Sequence, residues 1–361
     1  MMIEADKMKL LFVTSTLTSG GAERVISILA NEFSRRGHDV EMIALTSISP
    51  DFYKLDEHVR FIHADKACGG GLLKELWWFR KHVKQEKPDV VIAFMEAVYE
   101  FVLMALLGCN VPVISSERKD PATLGTLRKL MRWFLLPTAT AHVVQTQKIK
   151  FYYNKHIQKK THVIYNPVNE KVYEFQDEQN ITKENRIISV GRLYPQKNQA
   201  MMIEAFSKIA NDFPDWNLFI YGEGFLRADL EKQIKEIGLV DRVLLPGRTE
   251  NVIEEVANSK VFCLSSNYEG MSNAMIEAMC VGTPVITTNV SGTEELLHDG
   301  EDALIVKIGD VDGMANAYRT LLIDADLRKR MAKKCKEKIS LFSLDSVVSK
   351  WENLIVSVTN K

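Results

Sequence analysis

Short apolar runs alternate with amphipathic stretches along the chain, a rhythm that predicts parallel α/β units. Lys9–Thr16 (KLLFVTST) reads as a strand, Ser19-Gly20-Gly21 as a turn, and Ala22–Arg36 as a helix stopped by Gly37. Further strands are expected at Val40–Leu45, Val90–Phe94, Val111–Ser115, His142–Gln145 and His162–Ile164. Asn166-Pro167 breaks the pattern, and Glu170–Glu184 is polar and poor in strand formers, which places a linker there. A second alternation supplies strands at Ile187–Val190, Asn217–Tyr221, Val243–Leu245, Val261–Ser265 and Val285–Thr287, then a last helix over Leu344–Ser357. The expectation is α/β with two doubly wound domains, 1–169 and 170–343, and helix 344–361 packing back on the first. Ligands of such sheets sit beyond the carboxyl ends of strands, so residues just after strands are the candidates for chemistry.

A length of 361 residues agrees with two domains that each build a core. With 46% hydrophobic and 26% charged residues, disordered and fibrous classes are excluded. Cys68, Cys109, Cys263, Cys280 and Cys335 are scattered without a CxxC pair, which suits reduced core thiols in cytosol rather than zinc or disulfides. The acidic start, MMIEADKMKLLFVTST, does not read as a signal peptide. The apolar stretch from Val90 to Leu107 holds Glu96 and Glu100, so a buried strand and helix are expected there rather than a membrane span.

Charge is uneven. The net of −1 hides +5 in residues 1–170 and −6 in 171–361, and Arg118 to Lys160 carries ten Lys/Arg against Asp120 alone. Such a patch suits a diphosphate, an anionic lipid surface or nucleic acid, or is simply solvated. No recognised nucleic-acid module accompanies it, so no nucleic-acid partner is expected.

Four stretches carry candidate chemistry. Gly20-Gly21, between a strand and a helix, allows backbone amides to approach an anion. Gly191-Arg192-Leu193-Tyr194-Pro195-Gln196-Lys197 follows the first strand of the second half, where an Arg and a Lys five apart can converge on a diphosphate. Tyr221-Gly222-Glu223-Gly224 is either a ligand-facing turn or a structural one. Val261–Thr287 is the strongest: a strand, the loop Glu269-Gly270-Met271-Ser272, a helix from about Asn273 to Val281, and a stop at Gly282-Thr283-Pro284. Gly270 and the amides opening that helix form a cradle for phosphate or sugar. Glu277 lies just over one turn inside the helix among Ala274, Met275, Ile276, Ala278 and Met279, where a carboxylate needs hydrogen-bond donors, such as ribose hydroxyls.

Glu269 and Glu277 as E-x7-E, G-R-x4-K upstream and G-G-A-E near the start resemble family 4 of the retaining glycosyltransferases, GT-B enzymes with two Rossmann-like domains facing across a cleft. Gly247-Arg248-Thr249-Glu250-Asn251-Val252 is similar to the family's base-facing stretch, and Ser291-Gly292-Thr293-Glu294-Glu295 to its GGxxE loop. The resemblance implies that Arg192 and Lys197 hold the donor diphosphate and stabilise the departing charge. It implies Glu277 on the ribose, Glu269 on the donor sugar with amides from Gly270, Met271, Ser272 and Asn273, and a Gly21 amide from the other domain. Gly20, Gly191, Arg248 and Asn251 complete the implied donor site. Front-face attack with retention needs charge stabilisation rather than a protein nucleophile, and neither a cofactor nor a divalent metal is implied.

The family's histidine after the strand ending at Ser115-Ser116 is replaced: the sequence continues Glu117-Arg118-Lys119-Asp120-Pro121, with Arg118 at that place. Either the polar contact with the donor sugar is made differently, or Glu117 and Arg118, the expected acceptor-side residues, do the work. The S-E-R-x-D-P stretch is similar to the branch that adds hexoses or N-acetylhexosamines to lipid-linked oligosaccharides and surface polysaccharides. That branch implies a UDP-sugar donor, a polyprenyl-diphosphate-linked glycan acceptor and a cytoplasmic place at the inner membrane face. Leu72–Val83 and Leu127–Leu136 mix cations with Trp and Phe, as interfacial helices do, or bury them in the core. A GT-B epimerase, a transferase with a small soluble acceptor and a non-catalytic binding subunit are the alternatives.

Overall fold

The computed structural model describes residues 7–18, 20–48, 50–121, 125–176 and 181–360. Ser19 of the expected turn, residues 177–180 of the expected linker and Lys361 of the last helix lie outside them. The chain divides into two compact units, one made of Met1–Asn166 with Val347–Lys361 and the other of Pro167–Ser346.

The first unit holds seven parallel strands: β1 (Lys9–Thr14), β2 (Asp39–Ala44), β3 (Arg60–His63), β4 (Val90–Phe94), β5 (Val113–Ser116), β6 (Ala141–Val144) and β7 (Thr161–Val163). Their order is β3-β2-β1-β4-β5-β6-β7. The central strands read as continuous apolar runs because a parallel sheet is covered on both faces. Leu11, Val13, Val91 and Ala93 pack on Phe79 and Val83 of the helix Leu72–Glu86 and on Val98 and Val102 of the helix Glu96–Ala105. On the other face, Phe12 meets Phe33 of the helix Gly21–Arg35, and Phe94 stacks on Trp351 with ring centroids 5.6 Å apart. Trp351 belongs to the last helix, Leu344–Thr359, which is held to this unit further by Arg36 donating to Glu352 over 2.9 Å.

The second unit has β8 (Glu184–Val190), β9 (Asn217–Tyr221), β10 (Val243–Gly247), β11 (Ser259–Leu264), β12 (Val285–Thr288) and β13 (Ala303–Val306), ordered β10-β9-β8-β11-β12-β13 and all parallel. Its core gathers Ile187, Leu218, Ile220, Val261 and Ile286 with Phe206, Tyr318 and Leu321 from helices.

Strand order reverses at β1/β4 in the first unit and at β8/β11 in the second, so each sheet has one switch point where loops diverge and leave a crevice. Two strands escape the sequence pattern, β3 (RFIH) and β13 (ALIV). Both are four-residue edge strands. Several ends shift by up to three residues: β1 stops at Thr14 rather than Thr16, and β8 starts at Glu184 rather than Ile187, inside the stretch expected to be linker. Strand pairing with β11, where Glu184 is in register with Ser259, overrides the polar composition there.

Candidate functional site

The β8/β11 switch point brings the two main motifs of the second half together. The loop after β8 carries Gly191–Asn198, and the loop after β11 carries Ser265–Ser272. They are laced by backbone and side chain: Asn267 N donates to Gln196 O (2.8 Å), Asn267 Nδ2 to Pro195 O (2.9 Å), and Ser265 Oγ to Lys197 O (2.8 Å). At the centre Lys197 Nζ donates to Glu269 Oε1 at 2.5 Å, Ser266 Oγ to the same oxygen at 2.9 Å, and Gln196 Nε2 to Oε2 at 3.2 Å. Glu269 is thereby fixed and buried, and an ammonium with three N–H groups keeps donors beyond the one spent on it. Lys197 reaches across because Gly191 has no side chain: a Cβ there would lie 3.1 Å from Lys197 Cε.

Arg192 is exposed and makes no ion pair among the described residues, its guanidinium resting 5.1 Å over the ring of Tyr194, which meets Phe225 edge-on. A cation with an open head, on the same loop as Lys197, suits a diphosphate. Ser272 caps the helix Asn273–Cys280, accepting from Met275 N, so its amino-terminal amides lie at the end of the Glu269–Ser272 loop. Glu277 is on that helix and buried, as are Met271 and Ser272.

Two glycine motifs prove to be supports. A Cβ at Gly222 would come within 1.9 Å of Gly191 O, and one at Gly224 within 2.3 Å of Leu193 O. The Tyr221–Gly224 turn is the floor on which the Arg192 loop rests, with Leu193 N donating to Glu223 O at 3.0 Å. Likewise Gly292 admits the Gly270 carbonyl, 2.5 Å from where its Cβ would stand. Arg248 and Asn251 follow β10, the outermost strand, two places from β8, and both are exposed.

In the first unit, Gly20 precedes the helix Gly21–Arg35 with φ −103°, a conformation open to any residue. Glu23 folds back over Gly20, its carboxylate 1.9 Å from where a Cβ would stand. The helix terminus expected to meet an anion already has an acid folded against it.

Glu117 and Arg118 separate completely. Ser115, Glu117 and His142 point to one face, where the Glu117 carboxylate, fully buried, is bound by Arg132 and Tyr153, with His142 Nε2 at 3.5 Å. Arg132 also donates to Glu100 (3.0 Å), and Ser115 Oγ meets His142 Nδ1 at 2.8 Å. Desolvation alone would raise the Glu117 carboxyl, but the His142 hydrogen bond and the Arg132 charge outweigh it and hold it below its ordinary value. Burial and the Glu117 charge together push the Tyr153 hydroxyl well up. Glu117 therefore cannot face an acceptor, correcting the sequence expectation: it is an internal anchor for the helix Thr126–Leu135, which carries Arg132. Arg118 turns the other way, its guanidinium 4.1 Å over Phe94 and its Nη1 donating to Asn166 Oδ1 at 2.6 Å. This arrangement was invisible in the sequence because the partners, Phe94, Arg132, His142, Tyr153 and Asn166, are scattered along the chain.

The aromatic helices resolve in part. Trp77 is 67% exposed whereas Phe79 is buried, and on the helix Thr126–Leu135 Trp133 and Phe134 are 63% and 61% exposed. Among the described residues no helix is long and apolar enough to cross a membrane. All five cysteines are free; burial pushes the thiols of Cys263 and Cys335 up to about 12, so these two are core residues and not nucleophiles.

Two family models match adjoining parts of the chain, "Glycosyltransferase Family 4" over residues 19–172 and "Glycosyl transferases group 1" over 172–338. The chain is 29% identical, over 98% of its length and 99% of the relative's, to the Campylobacter jejuni GalNAc-α-(1→4)-GalNAc-α-(1→3)-diNAcBac-PP-undecaprenol α-1,4-N-acetyl-D-galactosaminyltransferase. It is 25% identical, over 96% of the chain and 96% of the relative, to N-acetyl-α-D-glucosaminyl L-malate synthase of Bacillus anthracis. Among solved structures, HepE of Anabaena in complex with UDP and glucose superposes with a TM-score of 0.81 at 18% identity, covering 97% of this chain and all of that one.

Proposed function

Since the chain belongs to glycosyltransferase family 4 and has the GT-B fold, we propose that it is a retaining, metal-independent hexosyl- or N-acetylhexosaminyltransferase acting from a UDP-sugar. The observation that carries this reading is the Lys197–Glu269 pair at the β8/β11 switch point, beside the open guanidinium of Arg192. In this reading Arg192 and Lys197 hold the donor diphosphate, Glu277 accepts from the ribose hydroxyls, and Glu269 orients the donor sugar with the amides of Gly270 to Asn273. The bond from the anomeric carbon to the phosphate oxygen breaks as the acceptor hydroxyl oxygen bonds to that carbon on the same face. The hydroxyl proton passes to the departing phosphate oxygen, whose negative charge the two cations stabilise. The chain's own carboxylates serve recognition: Glu269 and Glu277 lie on a loop and a helix.

The acceptor is a glycan on a polyprenyl diphosphate, as in the names of the Campylobacter jejuni relatives. The protein works at the cytoplasmic membrane face, where Leu130, Trp133 and Phe134, flanked by Arg128 and Lys129, meet anionic lipid. A nucleotide-sugar panel read by mass spectrometry, with and without lipid-linked acceptor, tests the assignment. The expected result is donor consumption only when acceptor is present. Consumption without acceptor would make the protein an epimerase, and failure to bind any UDP-sugar would remove the transferase reading.

A further inference from the structure

Arg118 is held by two contacts that use one side of its guanidinium. Nη1 donates to Asn166 Oδ1 at 2.6 Å, and the planar group lies over Phe94 at 4.1 Å. The opposite edge, Nε with Nη2, is buried and has no hydrogen-bond partner among the described residues, nor is any carboxylate within ion-pair distance of it. That edge is the side-on fork with which arginine grips two oxygens of a phosphate or carboxylate at once. Leaving two N–H donors of a cation unmet in a buried position is costly, and native proteins rarely tolerate it without use.

The fork is not isolated. Ser116 and Arg118 are two apart at the end of β5, so alternation sends both to the face opposite Glu117. Ser116 is in register with Val143 of β6, and two residues beyond that lies Gln145, again on the same face. Ser116 Oγ and Gln145 Oε1 are likewise buried without hydrogen-bond partners, although Ser116 is fully and Gln145 almost fully covered. An amide can turn its NH2 toward an oxygen, so this group adds donors. Beside them Met95 starts the helix Glu96–Ala105 with φ 74° and ψ 154°, a region that side chains rarely adopt. No side chain caps that helix, and Ala97 in its first turn is exposed. The Glu96 carboxylate is occupied by the Arg118 backbone amide at 3.2 Å and does not meet the fork. Strain held at such a terminus is characteristic of a ligand clamp. Arg118 is only part-buried as a residue, so the fork lies just beneath the surface.

We propose that the carboxyl ends of β4, β5 and β6 form an oxyanion subsite in which the Arg118 Nε–Nη2 fork, with Ser116 and Gln145, grips a phosphate or carboxylate of the acceptor. This deepens the transferase reading and rests on it for the acceptor's identity. A neutral hydroxyl would leave the guanidinium charge unbalanced in a site where burial already presses its pKa down, so an anion is the fitting occupant. Glu117 next to it is the positioning residue that holds this strand end in place.

The test is calorimetric titration of the full chain with UDP at saturation, using inorganic pyrophosphate in one arm and malonate in the other. Saturable pyrophosphate binding, with malonate at least about tenfold weaker, is expected for an acceptor phosphate; the reverse order supports the same subsite with a carboxylate-bearing acceptor. Arg118→Lys keeps the charge but loses the fork and should weaken the preferred anion by about tenfold or more, with UDP affinity changed less than twofold. Ser116→Ala, which removes a hydroxyl without a hydrogen-bond partner and so spares the fold, should weaken it by about threefold. Absence of saturable binding of either anion to the wild-type chain overturns the subsite, as does binding that neither substitution changes. UDP titrated alone reads the donor site separately, so its failure would strike the transferase reading and not the oxyanion fork.

Discussion

The ammonium of Lys197 and the carboxylate of Glu269 meet at 2.5 Å although 72 residues separate them. The pair joins the loops that leave β8 and β11, so the cation proposed to meet a diphosphate and the acid proposed to meet a sugar are aligned by each other. Substituting one therefore changes the electrostatics of the other.

Glu269→Gln keeps the shape but removes the negative partner of Lys197. The proposed roles predict that UDP binds as well or up to about threefold tighter, while kcat falls by about 100-fold through loss of the sugar contact. Calorimetry with UDP and steady-state kinetics separate the two; UDP affinity falling in step with kcat would contradict these roles.

Arg192→Ala should act mainly on the chemical step, since its head is open and it supports no other side chain by ion pairing. A loss of about 10²–10³ in kcat with little change in donor KM is expected for one charge-stabilising donor. Glu277→Ala should instead raise donor KM by about 10- to 100-fold, the range for losing hydrogen bonds to a charged group. Initial-rate measurements on both variants settle the contrast.

Gly222→Ala places a Cβ 1.9 Å from the Gly191 carbonyl at φ 143°. Either the turn or the Arg192 loop must shift. The expected cost is on the order of 2–3 kcal/mol of stability, with weakened UDP binding, although Gly222 touches no substrate in the proposed reading. Urea unfolding and UDP titration of the variant check both; an unchanged midpoint would show that the floor is more yielding than its geometry.

Glu117→Gln should destabilise the first unit by roughly 3–5 kcal/mol, because it leaves the buried Arg132 cation with Glu100 as its main counter-charge. The same pairing predicts an acid-sensitive fold. Glu117 has a folded pKa below its unfolded value, so its stabilisation is complete above the unfolded carboxylate value of about 4.3 and is lost as pH falls through the depressed folded value. Denaturation midpoints should therefore drop more steeply between about pH 5 and 3 in the wild type than in Glu117→Gln.

Replacing Trp133 and Phe134 with Ser should abolish flotation on vesicles containing anionic lipid without lowering the thermal midpoint, since both side chains are exposed. Equal flotation of the double variant would remove that helix from membrane contact.

The sequence by itself determined the fold class and singled out the two motifs of the proposed donor site. Parallel strands buried on two faces leave apolar runs of readable length, and the Gly191–Lys197 and Glu269–Glu277 motifs are each contiguous, sitting just past their strands as local chain geometry requires. Edge strands β3 and β13 escaped the sequence reading, whereas the edge strands β7 and β10 did not. Tertiary structure alone decided the fate of Glu117 and Arg118. Adjacent in the chain and alike as candidates, they take opposite faces of β5. The partners of Glu117, Arg132 and Tyr153, lie 15 and 36 residues away, and Asn166, the partner of Arg118, lies 48 away. A pattern read along one strand states that neighbours diverge, but which face is closed by helices carrying counter-charges is a property of packing between distant segments. Burial made one of these residues an anchor and left the other with an unsatisfied fork.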